Sequence, residues 1–185
     1  MKQTICFTGK RPKDLWGYDI TQYRDLNREL KYSLRHLCYH YNFNLRYAIF
    51  GGAQGFDQLA FWACDIATTM DKILYLPFKN QEKNWNEHGA FGQLEYHNML
   101  AVAREIVVCS DIDPATASKS EISAAYLKRN RDMVDATDIC FGLFDTKLDF
   151  HSDKSGTAAT LRYAEQQNKE IYLMDITNLG VSHYE

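Results

Sequence analysis

Short apolar runs rich in β-branched and aromatic residues recur along the chain, and longer segments with helical spacing of apolar residues separate them. A run of this length bounded by glycine, proline or polar residues is typical of a buried strand. The pattern predicts six strands, at Thr4–Thr8, Arg46–Phe50, Lys72–Phe78, Glu105–Cys109, Asp138–Phe144 and Glu170–Met174, with a short tail after the last.

The segments between the strands predict helices. The clearest has leucines at positions 26, 30, 34 and 37, a spacing that places them on one helical face. Strands that alternate with helices indicate an α/β, Rossmann-like doubly wound fold, in which helices cover both faces of a mostly parallel sheet. We expect one domain over residues 1–185, with helices at Thr21–Tyr41, Phe56–Thr69, Gln93–Arg104, Ser120–Ala136 and Thr157–Gln167.

Three loops each follow a predicted strand: Gly9–Asp19, Gly51–Asp57 and Asp145–Thr157. In a doubly wound sheet, ligands bind beyond the carboxyl ends of the strands. The second loop is a glycine-rich turn that opens a helix, and such a turn directs free N–H groups and the helix dipole at one point. The third loop has Ser155-Gly156-Thr157 before a helix, and it can direct N–H groups and a helix dipole at one point in the same way. A glycine turn without a ligand is the alternative interpretation of either loop.

Several side chains in these loops have the chemistry of nucleotide recognition. Lys10 and Arg11 follow the first strand, where their charges can meet phosphate oxygens unless the loop is simply solvated. Trp16 is a candidate for stacking on a base or for packing on the core. Gln54 is a candidate for contact with a sugar or base, and Asp57 for a ribose hydroxyl or for capping its own helix.

The composition excludes some functions and leaves others. The 185 residues are 45% hydrophobic and carry a net charge of −3, which gives no support for non-specific nucleic-acid binding. On that ground we do not expect nucleic acid as a partner. The longest apolar run is too short for a membrane span, and five dispersed cysteines favour free thiols in the cytoplasm. The histidines and cysteines lack the spacing of a metal site.

The combination of four motifs resembles the DUF1273 (YpsA/YoqJ-like) family of the SLOG superfamily, which also contains DprA and the Lonely Guy (LOG) enzymes. The motifs are Thr8-Gly9-Lys10-Arg11-Pro12, Gly51-Gly52-Ala53-Gln54-Gly55-Phe56-Asp57, Lys128-Arg129-Asn130-x-x-Met133-Val134-Asp135 and Ser155-Gly156-Thr157. The resemblance implies a Rossmann-like domain that binds a nucleotide or nucleotide-derived molecule. It also implies a homodimer or larger homo-oligomer, and a role in stress response or phage–bacterium conflict.

The chain departs from the LOG enzyme pattern at two positions. Aligned on Met133, the LOG arginine falls on Arg129, but the lysine after it is replaced by Asn130. Aligned on Gly156 and Thr157, the LOG glutamate falls on Thr160, and a threonine is not a general base at neutral pH. Glu121 and Asp57 are the substitute carboxylates, and in an enzyme Arg129 and Asp57 would be the catalytic candidates.

We therefore predict a binding protein that acts as a sensor, sponge or regulator, with a LOG-like nucleoside monophosphate N-glycosidase (phosphoribohydrolase) as the alternative. A DprA-like single-strand DNA binder is the weakest of the three hypotheses. No cofactor is assigned beyond a nucleotide-derived ligand, and its base contacts are expected from loops such as Lys79–Gly92. The candidate ligand-binding residues are Gly9, Lys10, Arg11, Pro12, Trp16, Gly51, Gly52, Ala53, Gln54, Gly55, Asp57, Arg129, Ser155, Gly156 and Thr157.

Overall fold

A computed structural model describes residues 3–184, and within them seven strands form one sheet. All neighbouring strands are parallel except the last pair, and the order across the sheet is β4-β3-β2-β1-β5-β6-β7. The strands are β1 (Thr4–Thr8), β2 (Tyr47–Phe50), β3 (Asp71–Leu76), β4 (Glu105–Val108), β5 (Ile139–Phe144), β6 (Glu170–Asp175) and β7 (Val181–Tyr184).

Five α-helices connect the strands in the described part of the chain. Two separate apolar clusters show that they cover both faces of the sheet: one joins the first three helices to β1, and the other joins the last two helices to the opposite face. This is the predicted doubly wound α/β arrangement. The helices are α1 (Arg24–His40), α2 (Phe56–Ala67), α3 (Gln93–Val102), α4 (Lys119–Asp135) and α5 (Gly156–Gln166).

The strand order places the topological switch point at β1. The chain moves from β1 outwards through β2, β3 and β4, and then returns to the other side of β1 as β5. Loops that leave neighbouring strands in opposite directions open a crevice at the carboxyl edge of the sheet. The three loops predicted to form the site follow β1, β2 and β5. In the sheet, β1 lies between β2 and β5.

Two predicted segments have a different structure. The segment after β6, predicted to be a short tail, forms β7. This strand pairs antiparallel with β6 at the edge of the sheet. The helix predicted from Thr21 begins at Arg24, because Ile20–Tyr23 forms a tighter 3-10 turn capped by the Asp19 carboxylate.

Residues 79–92 form successive turns, and Phe91 at their end is buried. Four of the five cysteines are buried, and all five are free thiols. Among the described residues, no helix combines the length and apolar character needed to cross a bilayer.

Candidate functional site

A cleft of about 530 Å³ opens at the switch point. Its floor is the end of β1, and its sides come from the loop after β1, from α4 and from the first turn of α5. Nine of the predicted site residues line it: Gly9, Lys10, Arg11, Ala53, Asp57, Arg129, Ser155, Gly156 and Thr157.

Arg129 lies against the glycine loop. It is only 5% exposed, and its Nη1 is 3.6 Å from Oδ2 of Asp57. A β-carbon added to Gly51 would lie 1.3 Å from the same Nη1, so the guanidinium occupies the space that any side chain at position 51 would need. Nε of Arg129 is buried and has no hydrogen-bond partner among residues 3–184. The arginine is therefore held in place while retaining an unused donor.

Asp57 is a buried carboxylate whose neighbours oppose its desolvation. Burial raises the pKa of the Asp57 carboxyl above its ordinary value, while the Arg129 guanidinium and the Ala53 N–H favour the charged form. The Ala53 N–H donates to Oδ2 at 3.2 Å. Burial also lowers the pKa of Arg129, opposed by Asp57, but a guanidinium remains protonated at neutral pH. One donor of the glycine loop is thus directed at Asp57.

The loops after β1 and β2 are packed directly on each other. Gly55 has a φ of +89°, a conformation that favours glycine, and an added β-carbon would lie 2.9 Å from the Lys10 carbonyl oxygen. The Phe56 N–H donates to that oxygen at 3.3 Å. An added β-carbon on Gly9 would lie 2.4 Å from the Phe56 ring. Glycine at positions 9 and 55 therefore fixes the position of Lys10 and Arg11 at the rim of the cleft.

Two cations lie close to the ring of Tyr126 on α4. The guanidinium carbon of Arg11 is 5.4 Å from the centre of the Tyr126 ring, and that of Arg129 is 5.8 Å from it. Lys10 Nζ is 5.3 Å from the centre of the Phe144 ring. Cations at these distances interact favourably with aromatic faces. The side of the cleft formed by α4 is therefore aromatic and positively charged.

The first turn of α5 supplies the second wall. Ser155 caps the helix by accepting the Ala158 N–H at 3.3 Å, while Gly156 and Thr157 begin it. The first N–H groups of a helix have no acceptor within the helix, and the dipole there favours an anion. Lys154 and Lys10 also line the cleft. This end has the donors and charge that bind a phosphate.

Six predicted site residues do not line the cleft. Pro12 is buried in the loop after β1, and Gly51, Gly52 and Gly55 are covered by other residues. Trp16 packs edge-to-face on Tyr23, with ring centres 5.2 Å apart. Gln54 donates from Nε2 to the Phe91 carbonyl oxygen at 2.7 Å. Each of these two side chains is held by a contact outside the cleft.

Two of the three positions considered for a catalytic carboxylate, Thr160 and Glu121, have structural roles. The Thr160 hydroxyl donates to the Gly156 carbonyl oxygen at 2.9 Å, within α5. Glu121 forms a capping box with Ser118 at the start of α4. The carboxylates that line the cleft are Asp14 and Asp57.

Apart from Arg129, the sequence analysis did not predict the residues of α4 that line the cleft. Ser123, Tyr126, Asn130 and Met133 line the cleft, as does Lys154 before α5. Positions 123, 126, 130 and 133 follow helical spacing, so projecting a face from the Arg129 motif would have found them.

A family model named YpsA, described as the YspA SLOG family, matches residues 5–179. The chain belongs to this family. The match confirms the resemblance inferred from the four motifs. No curated protein matches the chain significantly.

Among solved structures, the SLOG-family chain is similar to DNA processing protein A (DprA) from Helicobacter pylori. The TM-score is 0.58 at 17% identity, and the match covers 96% of this chain and 70% of that one. At this identity the similarity establishes the Rossmann-like fold. The DprA structure is described by its single-stranded DNA binding mode.

That comparison corrects one sequence-based expectation. We did not expect nucleic acid as a partner, on the ground of a net charge of −3. A protein of the same fold binds single-stranded DNA, so the expectation was wrong. The physical reason is that net charge averages over the whole surface, whereas Lys10, Arg11, Lys13 and Lys154 are concentrated around one cleft.

Proposed function

We propose that the cleft binds the phosphate-bearing part of a nucleotide-type ligand. The observation that carries the proposal is Arg129, a buried cation with an unused Nε donor, in a cleft lined by four further cations. Charge-assisted hydrogen bonds from arginine and from helix N–H groups are among the strongest contacts that phosphate oxygens make. In this proposal the phosphate lies at the first turn of α5, near Lys10.

The size and wall of the cleft support a nucleotide over a bare phosphate ion. A volume of about 530 Å³ falls in the range of small-molecule pockets. Tyr126 offers an aromatic face, on which a base of any kind can stack. Membership of the SLOG family supports the same class of ligand.

We favour binding without turnover, as a sensor, sponge or regulator. The LOG-like glycosidase alternative needs a carboxylate beside the ribose. Thr160 and Glu121 are engaged within their own helices, and Asp57 is paired with Arg129. In a sensor, Arg129 serves recognition and the bound ligand leaves unchanged.

Single-stranded nucleic acid is a second candidate ligand, favoured by the similarity to DprA. A phosphodiester backbone would use the same cations, and its bases would stack as a mononucleotide base does. The two ligands differ in length, so a titration with ligands of increasing length separates them.

The test is calorimetric titration with AMP, ADP-ribose, NAD, a cyclic dinucleotide and oligo(dT) of one to ten nucleotides. We expect saturable binding, at least about tenfold weaker in the double variant Lys10→Ala/Arg11→Ala, because two cations leave the rim. Arg35→Ala on α1 removes one positive charge from an exposed helix face and should bind like the wild type.

Chromatography of the ligand after incubation decides between a binder and an enzyme. Unchanged AMP supports the sensor, whereas free adenine supports the glycosidase. Equal binding by the double variant and Arg35→Ala would place the ligand outside this cleft and contradict the proposal.

A further inference from the structure

A second cavity, of about 280 Å³, lies on the face of the sheet covered by α1, α2 and α3. It lies between α2, the turn that ends at Phe91 and the first turn of α3. Its walls are mainly apolar, from Ile20, Leu59, Trp62 and Phe91. It shares no lining residue with the phosphate cleft.

Two side chains of α2 that line this cavity have buried polar atoms without hydrogen-bond partners in the described part of the chain. Gln58 is 1% exposed, and neither its Nε2 nor its Oε1 has a hydrogen-bond partner within residues 3–184. Nε1 of Trp62, one helical turn further on, is equally unpaired there. Buried polar groups of folded proteins are nearly always hydrogen-bonded, because an unmet donor or acceptor is destabilising. Three such atoms on one wall indicate a missing bonding partner.

We propose that this second cavity binds a small, uncharged planar ring that carries a hydrogen-bond donor beside an acceptor, as the edge of a nucleobase does. The Gln58 amide offers the complementary acceptor and donor, and glutamine pairs with adenine in this bidentate manner. Trp62 Nε1 supplies a further donor, and the apolar walls cover the ring faces. The cavity is large enough for a ring of this size. Its lining residues include the acidic Glu95 and neither lysine nor arginine, so no cation there would neutralise an attached phosphate.

The proposal is tested with free adenine as the probe and the indole N–H resonances of the 15N-labelled tryptophans as the readout. Trp62→Phe assigns the Trp62 signal. We expect adenine to shift that signal saturably in the wild type. In Gln58→Leu, which keeps the volume but removes the amide, binding should weaken at least about tenfold.

Two further variants make the result specific. Gln58→Leu should melt at a higher temperature than the wild type without adenine, because it removes two unpaired buried atoms. Gln167→Leu, an exposed position after α5, should change neither melting nor adenine binding. The Lys10→Ala/Arg11→Ala variant should bind adenine normally, so this experiment fails or succeeds independently of the phosphate cleft.

An unshifted Trp62 signal at millimolar adenine would overturn the proposal. Equal affinity of Gln58→Leu and the wild type would also overturn it. So would a crystal grown with adenine in which ordered water alone satisfies Gln58 and Trp62.

Discussion

At the scale of single residues, the cleft depends on the position of one guanidinium. Arg129 rests over Gly51, where no side chain is present, and beside Asp57, which compensates its charge. Removing one partner of a buried ion pair is costly because the other charge remains desolvated. The three residues therefore act together, although 78 positions separate Gly51 from Arg129 in the sequence.

Gly51→Ala tests this arrangement. Its β-carbon would overlap Arg129 Nη1 at 1.3 Å and approach Asp57 Oδ2 at 2.8 Å, so the guanidinium must move. We expect a loss of about 3 kcal/mol in the free energy of unfolding, measured in urea. We also expect ligand binding in the cleft to fall at least about tenfold.

Gly156→Ala is the matched control for stability. A β-carbon there has no heavy atom within 4 Å, and the residue begins a helix. Alanine should leave the free energy of unfolding unchanged or raise it by about 0.4–1 kcal/mol. Equal stability of the Gly51 and Gly156 variants would contradict the described position of Arg129.

Residue types in motifs were easier to predict than side-chain directions. The position of Arg129 in the cleft followed from its motif and the strand order. The directions of Trp16 and Gln54 depend on Tyr23 and Phe91, which approach them only in the folded chain. Phe91 lies 37 residues from Gln54, and local sequence carries no signal for a partner at that separation.

At the scale of elements, the buried strands were predictable because each is a nearly continuous apolar run covered on both faces. β7 was not, because Val-Ser-His-Tyr is short, largely exposed and paired on one side. The strand β7 depends on the corner after β6, which is the turn that begins at Asp175. There the Asp175 carboxylate accepts hydrogen bonds from the backbone N–H groups of Thr146, Thr177 and Asn178.

This corner predicts a dependence of stability on pH. Burial works to raise the pKa of Asp175, but hydrogen bonds from Thr146 and Thr177 outweigh it and hold the pKa well below the ordinary 3.8. A depressed folded pKa gives stability that is present above 3.8 and lost as the pH falls below it. In urea unfolding between pH 7 and pH 2, Asp175→Asn should therefore lose less stability on acidification than the wild type. Parallel curves would contradict this role of Asp175.

At the scale of the whole molecule, the distribution of charge matters more than its sum. The chain carries a net charge of −3, yet Lys10, Arg11, Lys13 and Lys154 line one cleft together with Arg129. The fold brings these cations together from the loops that follow β1 and β5 and from α4. A count of charges along the sequence does not contain that information.

The local charge predicts a salt effect on binding. Affinity for a phosphorylated ligand should fall as salt rises, since cations near a partly exposed site are screened. Lys10→Ala/Arg11→Ala should flatten the plot of log affinity against log salt concentration, while Arg35→Ala should keep the wild-type slope. Identical slopes for all three proteins would show that the rim cations do not contact the ligand.

The most direct test of the account is native mass spectrometry of the freshly purified protein, followed by denaturation and identification of any released compound. The account predicts a stoichiometric nucleotide-type ligand on the wild type that is missing from Gly51→Ala. A wild-type protein that carries no such compound, and that then binds neither the nucleotide panel nor oligo(dT), would contradict it.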